Sequence, residues 1–311
     1  MDLTLDLSTI KMKIEKRINI LLHRASALGD VIMTTPIVRQ LHQQYNGLAD
    51  VYVSTRVPEV FRNNPYVKQA FMVGEVPTHI KFDVMINLDT TYESNPENYF
   101  VDSYACYALG HANIDKTLEI FASDQDEQEA KSKIKTLVGD SPYIVVHLRN
   151  WAWLNKNIDI NTWIELCEKI VERWPDLKIV QVGTGVDQWL DGHPNLVIAL
   201  SQFSLAGTKV LLEGAKAFIG TDSAPFHIAG ATDTNIIGLL THLKQENIAP
   251  HRYNTQTYKT VIIHPDIDCV GCYTALPRPI AEMSCKHGDF RCNKLFDVSA
   301  ILTELEKCID S

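Results

Sequence analysis

Short apolar runs, each closed off by polar residues, glycine or proline, recur along the chain. In the first half they are INILLHR (18–24), DVYVST (50–55), QAFMV (69–73) and FDVMINLD (82–89). In the second half they are YIVVHLR (143–149), KIVQVG (178–183), LVIAL (196–200), AFIGTD (217–222), NIIGLL (235–240) and TVIIHP (260–265). Runs this short, with such borders, predict buried strands. Between them lie segments with apolar residues at helical spacing. These are DVIMTTPIVRQLHQQY (30–45), with Pro36 near its start, then NTWIELCEKIVERW (161–174), SLAGTKVLLEGA (204–215) and VSAILTELEKCI (298–309). In the second of these, Trp163, Ile164, Leu166, Ile170 and Val171 fall on one side. Strands that alternate with helices imply βαβ units and parallel sheets.

The alternation occurs twice, and a highly charged stretch separates the two series: SDQDEQEAKSKIKTLVGDSPY (123–143), ending in the turn signal Gly139-Asp140-Ser141-Pro142. The expected organisation is an N-terminal unit over 1–140 and a C-terminal unit over 141–311. The second unit includes a cysteine-rich loop at 265–293 and a terminal helix. The fold class is α/β, with two Rossmann-like, doubly wound domains facing across a cleft. Ligands of such sheets bind at the carboxyl ends of the strands, so the loops there are where chemistry is sought.

Composition narrows the function classes. The chain has 311 residues, 45% hydrophobic and 22% charged, values typical of a globular protein. The formal net charge of −9 does not favour binding to a nucleic-acid backbone, and no nucleic-acid partner is expected. The N-terminal MDLTLDLSTIKMK lacks a basic region followed by an apolar core, and no run approaches the ~18 apolar residues that span a bilayer. The expected compartment is the cytoplasm.

Four loops carry candidate chemistry. RASALGDVIMTTP (24–36) follows the first strand and places Asp30 at a helix start, as a helix cap or as a general base facing the cleft. Its Ser26 and Gly29 mark a turn where something approaches the backbone closely. AFIGTDSAPFHIAGA (217–231) runs from a strand through Gly220-Thr221-Asp222-Ser223 into a helix with Pro225 in its first turn. That helix start suits an anion such as a diphosphate; the plainer reading is a capped helix with His227 half-buried. HLRNWAWLNKNIDINTW (147–163) brings Arg149 and Lys156 to the cleft side, and QVGTGVDQWL (181–190) offers Gly183, Gly185 and Asp187. Neither a Walker loop nor a dinucleotide fingerprint is present.

Together these loops resemble the ADP-heptose:lipopolysaccharide heptosyltransferase family, glycosyltransferases of the two-domain GT-B fold. ALGDVIMTTPIVRQL is similar to the family's N-terminal motif and GTDSAPFHIAGATDTNIIGLL to its C-terminal motif, in the right order on the right elements. NKNIDINTWIEL aligns the family's lysine with Lys156. The resemblance implies that Asp30 deprotonates the acceptor hydroxyl and that Lys156 neutralises the donor diphosphate. It implies that Asp222 contacts the donor sugar, that Thr221, Ser223, Ala224 and His227 hold the diphosphate, and that Asp187 sits near the nucleoside. The implied partners are a nucleotide-diphosphate sugar and a glycan or lipid-linked acceptor at the inner membrane surface. The implied reaction is inverting transfer without a catalytic metal. Residues 90–110 replace the segment that in the family helps to shape the acceptor side. Two other functions compete with transfer: a nucleotide-sugar epimerase of similar architecture, and an inactive nucleotide-sugar-binding protein.

Four of the seven cysteines, Cys269, Cys272, Cys285 and Cys292, fall within 24 residues, and the first pair has C-x-x-C spacing. Three arrangements fit: a structural zinc with His287 as a further donor, packed reduced thiols, or disulfides. None is catalytic. Cys106, Cys167 and Cys308 are expected on buried helix faces.

Overall fold

The computed structural model describes residues 16–148, 154–185, 195–252, 259–275 and 285–310. Every predicted strand forms. β1 (Ile18–His23), β2 (Ala49–Thr55), β3 (Gln69–Met72) and β4 (Val84–Asn87) pair in parallel in the order β3-β2-β1-β4. β5 (Tyr143–His147), β6 (Lys178–Gln181), β7 (Leu196–Ile198), β8 (Ala217–Gly220), β9 (Asn235–Leu239) and β10 (Thr260–Ile263) form a second parallel sheet, ordered β10-β9-β8-β5-β6-β7. Ile20 lies opposite Val51 and Val84, and Val145 opposite Val180 and Phe218. The chain reverses its direction of growth beside β1 in one sheet and beside β5 in the other. Those two switch points open the crevices where ligands of such folds bind.

Apolar alternation decides how the layers pack. Ile20, Leu22, Val51 and Val53 form one face of the first sheet. They bury against α1 (Leu28–Ile32), α2 (Thr35–Gln44) and α3 (Phe100–Leu109). On the other face, Leu21, Tyr52 and Phe71 sit under Val76, Ile80 and Phe82 of a connecting loop. The second sheet has helices on both faces. α5 (Ile160–Arg173) and α9 (Val298–Ile309) cover Ile144, Val146, Ile219 and Ile237. α6 (Leu205–Glu213) and α7 (Ala224–Gly230) cover Val145, Val180, Phe218 and Ile236. This last core continues into that of the first sheet, so the two units share apolar packing.

Two helical expectations need correction. The segment 30–45 forms two helices, α1 and α2, because Pro36 has no N–H and its ring excludes the carbonyl of Ile32. That carbonyl accepts the Thr35 hydroxyl at 2.8 Å, and the Val31 carbonyl accepts the Thr34 hydroxyl at 2.8 Å. The charged stretch expected as a connector is largely a helix, α4 (Asp124–Val138). A Ser123–Asp126 capping box starts it, a Glu127–Lys131 pair at 2.6 Å supports it, and buried Ala130 and Val138 seat it against α6. Cys106 is exposed rather than packed in the core, because α3 buries Phe100, Val101, Tyr104 and Ala105 and turns Cys106 outward. No helix among the described residues is long and apolar enough to cross a membrane.

Candidate active site

The loops at the two switch points face each other across a cavity of about 280 Å³. One wall comes from the corner after β1, with Ser26, Ala27, Gly29 and Asp30. The opposite wall holds Lys156, from the short turn Leu154–Lys156 beyond β5, and Asp222, Ser223, Ala224 and His227 from the corner after β8. Residues far apart in sequence thus meet because three strands end at the same edge of their sheets.

Neither corner uses its acid as a helix cap. Elsewhere in the chain such acids do cap: Asp159 accepts from the Asn161 N–H at 2.9 Å, and Asp297 from the Ser299 N–H at 2.8 Å. Ala27 stands at the N-cap of α1 and Ser223 at that of α7, both without a side-chain cap bond. Asp30 instead accepts from Arg24 Nη2 at 2.7 Å. The same nitrogen reaches Glu93 Oε1 at 3.2 Å, and Arg24 Nη1 donates to the Leu88 carbonyl at 3.2 Å. The guanidinium lies over the rings of Tyr92 and Tyr104, 5.3 and 5.6 Å from their centroids. Burial alone would lower its pKa, but Asp30, the two tyrosines and Glu93 outweigh burial and hold it above the ordinary arginine value. Burial, reinforced by the Asp30 charge, pushes both tyrosine hydroxyls well above their usual range.

The second corner is built in the opposite sense. Lys156 Nζ pairs with Asp222 Oδ2, and His227 Nε2 lies 3.2 Å from Asp222 Oδ1. Burial would raise the Asp222 pKa, but the Lys156 ammonium and the His227 contact hold it well below the carboxylate range. His227 Nδ1 is buried and has no hydrogen-bond partner among the described residues. Exposure separates the two pairs. Arg24 is 5% exposed beside Asp30 at 17%, whereas Lys156 is 22% exposed beside Asp222 at 7%. The first pair turns its acid toward the cavity; the second turns its cation.

Gly29 does permit a close approach, but to the other unit. A Cβ at this position would stand 2.7 Å from His227 Cδ2, so the missing side chain lets α1 press against α7. Ser26 and Gly29 both line the cavity. Ser223 also lines it, yet its hydroxyl is committed to the Thr221 carbonyl at 2.9 Å and lies 3.0 Å from His147 Nδ1. Thr221 is buried and shapes this turn without lining the cavity. Asp187 and Arg149 lie outside the described residues.

Sequence reading missed Arg24, Tyr92, Glu93, His242 and Tyr273, all cavity-lining. Arg24 carried a signal, a charge at the end of a buried strand. The others depend on where long loops return.

Cys269, Cys272, Cys285 and Cys292 line one small cavity, all as free thiols. The Phe290 N–H donates to Cys285 Sγ at 3.4 Å. Burial would raise that thiol, but the surrounding N–H groups of Phe290, His287, Asp289 and Gly288 outweigh it and lower the pKa. Burial and the neighbouring thiols push Cys292 up to about 12. Donor atoms of Asp268, Cys269 and His287 also lie within 4.8 Å of one another. This segment props the cavity between the two corners. Asn293 Nδ2 donates to the Leu154 carbonyl at 2.8 Å, the Tyr273 N–H donates to the His242 carbonyl at 3.0 Å, and Thr241, beside the thiols, donates to the Asn155 carbonyl.

Solved structures show the same fold. A glycosyl transferase family 9 protein from Veillonella parvula superposes with a TM-score of 0.74 at 14% identity, over 95% of this chain and 98% of its own. The Escherichia coli ADP-heptose lps heptosyltransferase II gives 0.68 at 15% identity, over 94% and 98%. The iron-containing dodecameric glycosyltransferase TibC of enterotoxigenic E. coli gives 0.70 at 15% identity, over 94% and 77%. No curated protein sequence matches the chain significantly. The profile of Glycosyltransferase family 9 (heptosyltransferase) matches residues 83–269, more than half of the chain, and favours sugar transfer over epimerisation. On that match the chain belongs to glycosyltransferase family 9, with the two-domain GT-B fold, and is an enzyme that transfers a sugar from a nucleotide-sugar donor.

Proposed function

We propose that the cavity is the transfer site, with Asp30 as general base and the Lys156–Asp222–His227 cluster as donor-diphosphate subsite. One observation carries this reading: two ion pairs across one cavity expose opposite charges, an acid on one wall and an ammonium on the other. An acceptor hydroxyl gives its proton to Asp30 as its oxygen attacks the anomeric carbon. The bond to the nucleoside diphosphate breaks on the opposite face, inverting the anomeric centre. The charge that develops on the leaving group falls beside Lys156, in a site whose donors are already in place. Asp222 positions that ammonium, and His227 holds Asp222 from the other side. None of these steps draws on a metal.

The donor is a nucleoside-diphosphate sugar, with an ADP-sugar the first to test because the similar TibC was solved with ADP-D-β-D-heptose. The acceptor is a glycan or lipid-linked hydroxyl, met in the cytoplasm. An inactive binding protein would have no need of an acid poised opposite an ammonium. A thermal-shift series with ADP, UDP, GDP and CDP tests the donor side. The matching nucleotide at ~100 Kd should add ~2.7 kcal/mol of stability, and no response to any of them would overturn the reading.

By ligand type the four cysteines suit a structural tetrahedral ion, zinc, or iron by likeness to TibC, and the donor atoms that already lie within 4.8 Å of one another here are those of Asp268, Cys269 and His287. Bound there, it would lock the props under Leu154–Lys156 and His242. Metal analysis of the purified chain should find about one ion per chain, lost in Cys272→Ser together with thermal stability. Metal-free protein with unchanged stability would exclude it.

A further inference from the structure

Arg24 is one cation serving two carboxylates. Its Nη2 donates to Asp30 Oδ1 at 2.7 Å and to Glu93 Oε1 at 3.2 Å, and both acids line the transfer cavity. The guanidinium is not free to turn wholly to either one. Its Nη1 is held by the Leu88 carbonyl, and the rings of Tyr92 and Tyr104 flank it. The two acids are almost equally shielded, Asp30 at 17% exposed and Glu93 at 19%. With both ionised, the corner carries one negative charge in excess, on two groups that share a donor.

Glu93 is poorly satisfied for a residue that only holds the fold. Its Oε2 is buried and has no hydrogen-bond partner among the described residues, whereas buried polar groups are normally paired. Asp222 shows what an acid becomes without such a competitor. It takes both Lys156 and His227, and they hold its pKa well below the carboxylate range. An Asp30 with Arg24 to itself would be pulled the same way, and a carboxylate that weak takes up a proton poorly in a transition state. Glu93 opposes this pull twice. It draws on the same Nη2, and it sets a second negative charge beside Asp30.

On the reading of Asp30 as general base, we propose that Glu93 is a positioning residue for transfer: it shares Arg24, so that the guanidinium anchors Asp30 without quenching it as a base. The other ionisable groups around Asp30 leave this balance intact. Tyr92 and Tyr104 stay neutral, since burial holds their hydroxyls well above the usual range. Asp89 faces His23 Nε2 and the Ala25 N–H. Across the cavity Lys156 and His227 are paired with Asp222, and His242 and Tyr273 complete the lining.

Carboxyl-carbon NMR titration of the full-length protein reads the effect without a known substrate, with the Asp30 resonance assigned by its loss in Asp30→Asn. In Glu93→Gln the Asp30 midpoint should move to lower pH by about one unit. Glu93→Asp, which restores the charge, should bring it most of the way back. A midpoint that stays put or rises in Glu93→Gln, whatever happens to thermal stability, would overturn the proposal. Release of nucleoside diphosphate from the matching nucleotide sugar, with water as acceptor, gives the kinetic counterpart. The acid limb of kcat should follow the Asp30 midpoint and the plateau should fall about tenfold in Glu93→Gln. A Glu93→Gln enzyme as inactive as Asp30→Asn would also count against it, by making Glu93 the base. Wild-type turnover in Asp30→Asn would instead sink the base reading and leave the coupling of the two acids standing.

Discussion

The corner after β1 and the corner after β8 are built alike and wired in reverse. Each follows a buried strand, each opens a short helix, and each carries an aspartate paired to a cation. In the first the cation is the buried member, clasped between two tyrosines, and the acid faces the cavity. In the second the acid is the buried member and the ammonium faces the cavity. Pairing costs each site little net charge, yet the choice of which partner to bury sets the sign of each wall. On the proposed assignment, a general base and an anion cradle can thus share one cavity without neutralising each other.

Breaking the first wall should have the largest effect. Asp30→Asn keeps the shape and removes the proposed proton acceptor, so kcat for transfer should fall about 10²–10⁴-fold, read by product formation at saturating donor. Arg24→Met attacks the same corner from beneath. It leaves Asp30 and Glu93 without their shared cation, and thermal unfolding should show a loss of about 3–5 kcal/mol, the range for breaking a buried pair.

Gly29→Ala tests whether the two corners must touch. Its methyl would meet the His227 ring, and overpacking of that kind costs about 1–3 kcal/mol. Stability should fall and transfer should weaken although no charged group is altered. The smallest effect should be that of acid. Asp222 titrates below its unfolded value, so its contribution is present above about pH 4 and is lost as pH falls through the lower folded value. Melting temperature against pH should drop on the acid side for the wild type and be flatter there for Asp222→Asn.

Much of this was legible in the sequence, for reasons that differ by element. The inner strands β1, β2, β5, β6, β8 and β9 were readable because they are short apolar runs inside a sheet, where burial on both faces leaves little ambiguity, and the edge strands β3, β4, β7 and β10, though partly exposed, keep the same apolar runs and polar borders. Asp30, Lys156 and Asp222 were readable because they stand just past strand ends, where the fold class itself directs attention. α4 hid behind its charge, since its apolar stripe is narrow and faces only α6. Glu93 and Tyr92 were invisible because nothing local marks a loop that returns under the first corner. Whether Gly29 admits an acceptor or a neighbouring helix is a question of tertiary distance, and the glycine alone does not answer it.

Calorimetric titration of ADP into the wild type, Asp30→Asn and Lys156→Ala tests the reversed wiring most directly. Asp30→Asn should bind ADP as the wild type does, and Lys156→Ala should bind it at least about tenfold more weakly. Equal losses in both variants, or a loss confined to Asp30→Asn, would contradict the division of the cavity into a base wall and a phosphate wall.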